Sequence, residues 1–205
     1  APGEPPQLAR QGEVYVQLHE SFVNNLAADM LGGRTLTRDE VERGAVDTFG
    51  ELPASMKQDQ EEDATSWAIE FAEEGPVTMA FDRNEAVITI RGQHYKSGGR
   101  TFPAMTVSAR YKLVSTPQGM RADRQGELSI YPPALGPGKP MGVREKVVEK
   151  MIRKRFNKIF EEKVVFHGLK LPGNWSKLGP LVAHNFKTDG GWLLVAWDEG
   201  KASEK

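Results

Sequence analysis

The sequence predicts an α+β domain built on long antiparallel strands and one long amphipathic helix. Apolar and polar residues alternate with period two through the middle third, in runs of about ten residues. Residues 141–163, "MGVREKVVEKMIRKRFNKIFEEK", switch to apolar spacings of three and four. The order strand, helix, long strands, long helix, terminal hairpin belongs to an α+β chain.

The elements follow in order. In "EVYVQLHE", Val14, Val16 and Leu18 share one face, as in a half-buried strand. Ser21 is the expected N-cap of a helix carrying Phe22, Leu26 and Met30 at four-residue spacing, ended by Gly32-Gly33. "TRDE" predicts a capping box between Thr37 and Glu40 for a second helix presenting Val41, Ala45 and Phe49. The acidic run 57–65 reads as a solvated loop. Trp67, Ile69 and Phe71 form one alternating set, and Val77, Met79 and Phe81 form another, with Arg83-Asn84 turning into "AVITIRGQHY". The clearest strand has Met105, Val107, Ala109, Tyr111 and Leu113 on one face. "MRADRQGELSIY" (120–131) predicts a further long strand, bent or bulged at Gly126. Strands this long exceed the usual ~5–6 residues and suit a curled sheet.

"PPALGPGKP" (132–140) is a linker-like break before the long helix. That helix carries Val143, Val147, Val148, Met151, Ile152, Phe156, Ile159 and Phe160 as a wide apolar stripe. Residues 144–163 hold eight Lys and Arg against four Glu, so the polar face is basic. Its segment "RKRFNK" (153–158) is expected to be solvated, with contact to an anionic membrane surface as the next reading. The chain ends on a hairpin turning at Asp189-Gly190-Gly191. Its last strand is apolar on both faces and should be covered on both, by the long helix on one.

At 205 residues, 39% apolar and 27% charged, the chain suits one medium-sized domain. Residues 1–11 are expected to be a disordered or linker segment, 12–200 a single α+β domain and 201–205 a flexible tail. The opening "APGEPPQ" reads as a processed start or a linker remnant. A net charge of -1 argues against a dedicated nucleic-acid binder, and no nucleic-acid partner is expected. No apolar run approaches the ~18 residues of a membrane-spanning helix. Zero cysteines exclude disulfides, zinc-thiolate sites and thiol catalysis, and fit the cytosol and many Gram-negative envelope proteins equally well.

Three stretches resemble the tubular lipid-binding superfamily, which includes bactericidal/permeability-increasing protein and small bacterial envelope proteins. "VYVQLHESFVNNLA" is similar to that family's opening strand running into a helix. "MTVSARYKLVSTPQGMRADRQGELSI" resembles its long paired strands. "FNKIFEEKVVFHGLKLPGNWSKLGPLVAHNFKTDGGWLLVAWD" looks like its closing helix, Gly-Leu-x-Leu-Pro and hairpin. These stretches consist of hydrophobic classes and turn residues, without a strict motif. The second helix and the acidic loop have no counterpart in the pattern, and the disulfide of some members has no cysteines here. The resemblance implies a highly curved sheet wrapped along the long helix, an apolar groove between them, and a location in the periplasm, the cell envelope or outside the cell.

The expected function is therefore non-enzymatic binding or carriage of an apolar ligand, a lipid above all. The expected groove lining is Met105, Val107, Tyr111, Val147, Met151, Phe156, Phe160, Leu194 and Trp197. The competing reading is a structural or protein-interaction domain in which these side chains close on one another as a filled core. That is the expectation for any one of them taken singly. His19, His94, His167 and His184 show no metal-ligand spacing, so neither a metal site nor a cofactor is expected. No G-x-S-x-G, P-loop or G-x-G-x-x-G occurs. An enzyme could still assemble a site from distant residues around His94 and Tyr95. A cavity between the long helix and the sheet would favour carriage, and a filled interface the structural role.

Overall fold

The computed structural model describes residues 3–6, 14–49, 66–116, 119–166 and 181–199. β1 (Val14–His19) runs into α1 (Glu20–Leu31), and a short β2 (Thr35–Thr37) leads into α2 (Arg38–Phe49). The central strands are β3 (Trp67–Phe71), β4 (Val77–Asp82), β5 (Glu85–Ser97), β6 (Arg100–Phe102), β7 (Met105–Thr116), β8 (Gly119–Arg124) and β9 (Ser129–Tyr131). α3 (Val143–Ile159), β10 (Lys163–Phe166) and the hairpin of β11 (Leu181–Asp189) and β12 (Trp192–Glu199) complete the described elements. The fold is α+β and mostly antiparallel sheet.

The larger sheet has the order β10-β8-β7-β5-β3-β2, with β4 and β6 also on β5 and β9 on β7; the smaller is β1-β12-β11. β5 and β7 span 13 and 12 residues and pair from Glu85↔Lys112 to Gly92↔Met105. Arg83 and Asn84 both have positive φ (47° and 61°), the geometry of a two-residue hairpin turn between β4 and β5.

Several sequence expectations are corrected. α1 starts two residues earlier than a Ser21 cap would have it. His19 is the cap, its Nδ1 accepting from the Ser21 N–H at 3.1 Å. The single strand expected over 120–131 is two, β8 and β9, because Gly126 turns at φ 70°. The long helix is shorter than 141–163: Gly142 caps it, and residues 163–166 extend as β10 on β8. The capping box of α2 is present as expected, with the Thr37 N–H donating to Glu40 at 2.8 Å. Residues 57–65, the "HGLKLP" stretch and His167 lie outside the described residues.

The odd-numbered face of β7, Met105 to Leu113, is buried against α3 through Val148, Ile152, Phe156 and Phe160. A second cluster joins Met120 of β8, Ala183 of β11 and Val195 of β12, and Phe186 and Leu193 pack against both clusters. On the Val195 face of the final strand the side chain that packs is Met120, from the larger sheet.

Candidate functional site

The nine groove residues expected from sequence divide three ways. Met105, Val107, Tyr111, Phe156 and Phe160 belong to one buried cluster, with Met151 packed against it. Leu194 is buried in the smaller sheet, and Trp197 packs on the second cluster. Val147 faces outward and is 62% exposed. The buried side of α3 is Val148, Ile152 and Phe156, at four-residue spacing. Val147 lies about 100° around the helix from Val148, so the stripe read from sequence was too wide.

Aromatic geometry makes the main cluster directional. Phe156 meets Tyr95 edge-on at 6.2 Å and stacks with Phe160 at 6.0 Å. The Tyr95 hydroxyl donates to the Met105 carbonyl, and that of Tyr111 to the Glu161 carbonyl, each at 3.0 Å. Burial raises the pKa of both phenols.

Beside this interface, bordered by Trp67, lies an open cleft of about 660 Å³. Its walls are Arg38 and Glu42 from the first turns of α2, Trp67 and Ala68 from β3, and Lys96 and Ser97 from β5. Such a volume lies within the ~300–1,000 Å³ of ligand pockets. Trp67 stands between the open cleft and the apolar interface. The Arg155 guanidinium of α3 lies over its ring at 5.8 Å and donates to the Ser97 hydroxyl at 3.1 Å. The Arg38–Glu42 pair, at 2.6 Å, holds the opposite wall.

Two narrower spaces, each about 20 Å³, also have Trp67 in their lining, together with residues of α3. One is lined by Val41, Lys158 and Ile159, the other by Met151, Ile152, Tyr95 and Phe156. Each has room for about one water. The first also has Arg38, Glu42 and Arg155 in its lining, and the second is the more apolar of the two. Sequence reading missed this place because Trp67 looked like any strand residue and Arg155 like part of a solvated face. No spacing rule links residues 38, 67, 97 and 155.

The other chemical candidates disperse. His94 pairs with Glu70 at 3.4 Å while the neighbouring Tyr95 is buried, so β5 sends them to opposite faces. The side chain of His184 lies outside the description. Among the described residues no three His, Asp or Glu side chains gather as a metal site, and no helix is long and apolar enough to cross a membrane. Asp82 contacts Arg83 at 3.4 Å, and Glu85 pairs with Arg110 at 2.7 Å. Hydrogen bonds from Arg121 hold Asp123 below the usual carboxylate range, and the Thr37 backbone N–H does the same for Glu40. Two buried polar atoms find no hydrogen-bond partner among the described residues: Arg124 Nε and Trp197 Nε1.

No protein-family model matches this sequence, and no curated protein matches it.

Proposed function

We propose that this chain is a non-catalytic binding domain for an apolar or amphiphilic ligand, a lipid above all, of the tubular lipid-binding type that its element order resembles. In this reading β5 and β7 curl along α3, and the domain works in the cell envelope or outside the cell. The observation that supports it is the position of Trp67, which lines both an open cleft of about 660 Å³ and the narrow spaces beside α3. An acyl chain entering there would displace the flexible Met151 and Ile159 side chains. Each methylene buried contributes ~0.8 kcal/mol, so about ten are needed to reach the ~8 kcal/mol of micromolar binding.

A second reading is a structural or protein-interaction domain with a filled core. It is favoured by the complete burial of Met105 and Val107 and by the narrowness of the spaces beneath α3, about 20 Å³ each.

Organic extraction of the purified protein followed by mass spectrometry, with titration of a fluorescent fatty acid, separates the two. Carriage predicts near-stoichiometric lipid or micromolar uptake, weakened about tenfold or more in Trp67→Ala and retained in Trp67→Phe. A clean extract with no uptake selects the filled core.

A further inference from the structure

We infer that the outward face of α3 is a docking surface for anionic lipid headgroups, separate from the cleft at Trp67. From sequence, the basic segment 153–158 was expected to be solvated, with anionic membrane contact as the next reading. The structure draws two of its cations inward. Arg153 bonds Glu149 at 2.6 Å and Glu127 at 3.1 Å, and Arg155 lies over Trp67.

What remains outside is a different set. Lys146, Lys150 and Lys154 recur every fourth residue and are all exposed, so they lie on one side of the helix. On the same side stand Val143, 81% exposed, one turn before Lys146, and Val147, 62% exposed. The helix has two carboxylates of its own, and both are engaged elsewhere. Glu145 accepts from the Gly142 N–H at 2.6 Å, and Glu149 holds Arg153. Among the described residues no carboxylate pairs with the three lysines.

Charge and polarity together select the partner. The chain carries a net charge of -1, so this positive face is a local feature and not the bulk charge of the chain. A row of ammonium groups about 12 Å long, with bare valines beside it, matches a plane of phosphate headgroups above acyl chains. Nucleic acid is the poorer match. The aromatic rings of α3, Phe156 and Phe160, are buried, so no stacking platform accompanies the charge.

Co-sedimentation of the full chain with vesicles tests this. Vesicles of phosphatidylcholine doped with phosphatidylglycerol should retain the protein at low salt and release it as salt rises. Pure phosphatidylcholine should not retain it. The triple variant Lys146→Gln, Lys150→Gln, Lys154→Gln should bind on the order of 100-fold more weakly, at about 5-fold per lysine. The triple Lys→Arg variant should bind like the parent, and Val143→Ser with Val147→Ser should weaken binding further. All these side chains are exposed, so the melting temperature should not move. Equal retention by neutral vesicles, retention by neither, or an unaffected Gln variant would each overturn the inference. So would tighter capture of duplex DNA than of anionic vesicles. Trp67→Ala should leave vesicle binding intact, which keeps this test distinct from that of the cleft.

Discussion

Asn24 closes the free side of β4 by pairing twice with Met79. Its side-chain amide donates to the Met79 carbonyl at 3.0 Å, and its carbonyl accepts from the Met79 N–H at 2.7 Å. One side chain on α1 thereby takes the place of a neighbouring strand. Two residues on, Glu20 accepts from the Phe81 N–H at 3.0 Å and the Gly191 N–H donates to the Phe81 carbonyl at 3.0 Å. At Met79 and Phe81 a strand edge that would otherwise invite pairing with another chain is thus occupied. Asn24→Ala should cost about 1–3 kcal/mol, from two lost hydrogen bonds and two stranded backbone groups. Urea denaturation measures this, and a loss below ~0.5 kcal/mol would mean that water serves the edge as well as Asn24 does.

Tyr95 ties the interior to alkaline pH. Its ring folds over Gly92, where a Cβ would come within 2.5 Å of it. Burial holds its pKa above the ordinary value of about 10. Below pH ~10 the folded and unfolded chains both keep the phenolic proton, and the group adds no pH dependence. Above it the unfolded chain ionises first, so stability should fall by up to about 1.4 kcal/mol per pH unit. In Tyr95→Phe that slope should be shallower, with a cost at neutral pH of ~1 kcal/mol for the lost bond to Met105. Denaturation curves at neutral and alkaline pH check both. An unchanged slope would assign the alkaline loss to Tyr111 instead.

The orientation of α3 is open to a paired substitution. Ile152 is 1% exposed, whereas Val147 faces outward. Ile152→Ala should destabilise by ~2–4 kcal/mol through the cavity it leaves, and Val147→Ala should stay within about 0.5 kcal/mol. Comparable losses at both positions would put Val147 against the sheet.

Trp197 carries a buried indole N–H with no acceptor among the described residues. An unsatisfied donor costs ~1–3 kcal/mol, so Trp197→Phe should be neutral or stabilising despite its smaller ring. Thermal melts decide it. A loss above ~2 kcal/mol would reveal an acceptor or a packing role that outweighs the orphaned N–H.

Periodicity located most elements because apolar spacing is a local property. The alternation from Met105 to Leu113 is a strand with those five side chains buried, and the Thr37–Glu40 cap begins a helix where expected. Spacing could not say which side of a helix faces in. Phe22, Leu26 and Met30 look like a core stripe, yet all three are exposed. The side of α1 facing the sheet bears Glu20 and Asn24, polar residues chosen by the unpaired backbone of β4. The cleft was less legible still, since its walls come from α2, β3, β5 and α3.

By itself the sequence determined the α+β class, the long strands β5 and β7, the Arg83-Asn84 and Gly190-Gly191 turns, and the buried face of β7. Each follows from interactions within a few residues: backbone sterics, capping, or the period of apolar side chains. Tertiary structure alone decided that β12 lies between β1 and β11, that Val147 points to solvent, and that Arg155 crosses to Trp67. These depend on which distant backbone edges and apolar faces meet. That is a competition between long-range contacts, and no single segment encodes it.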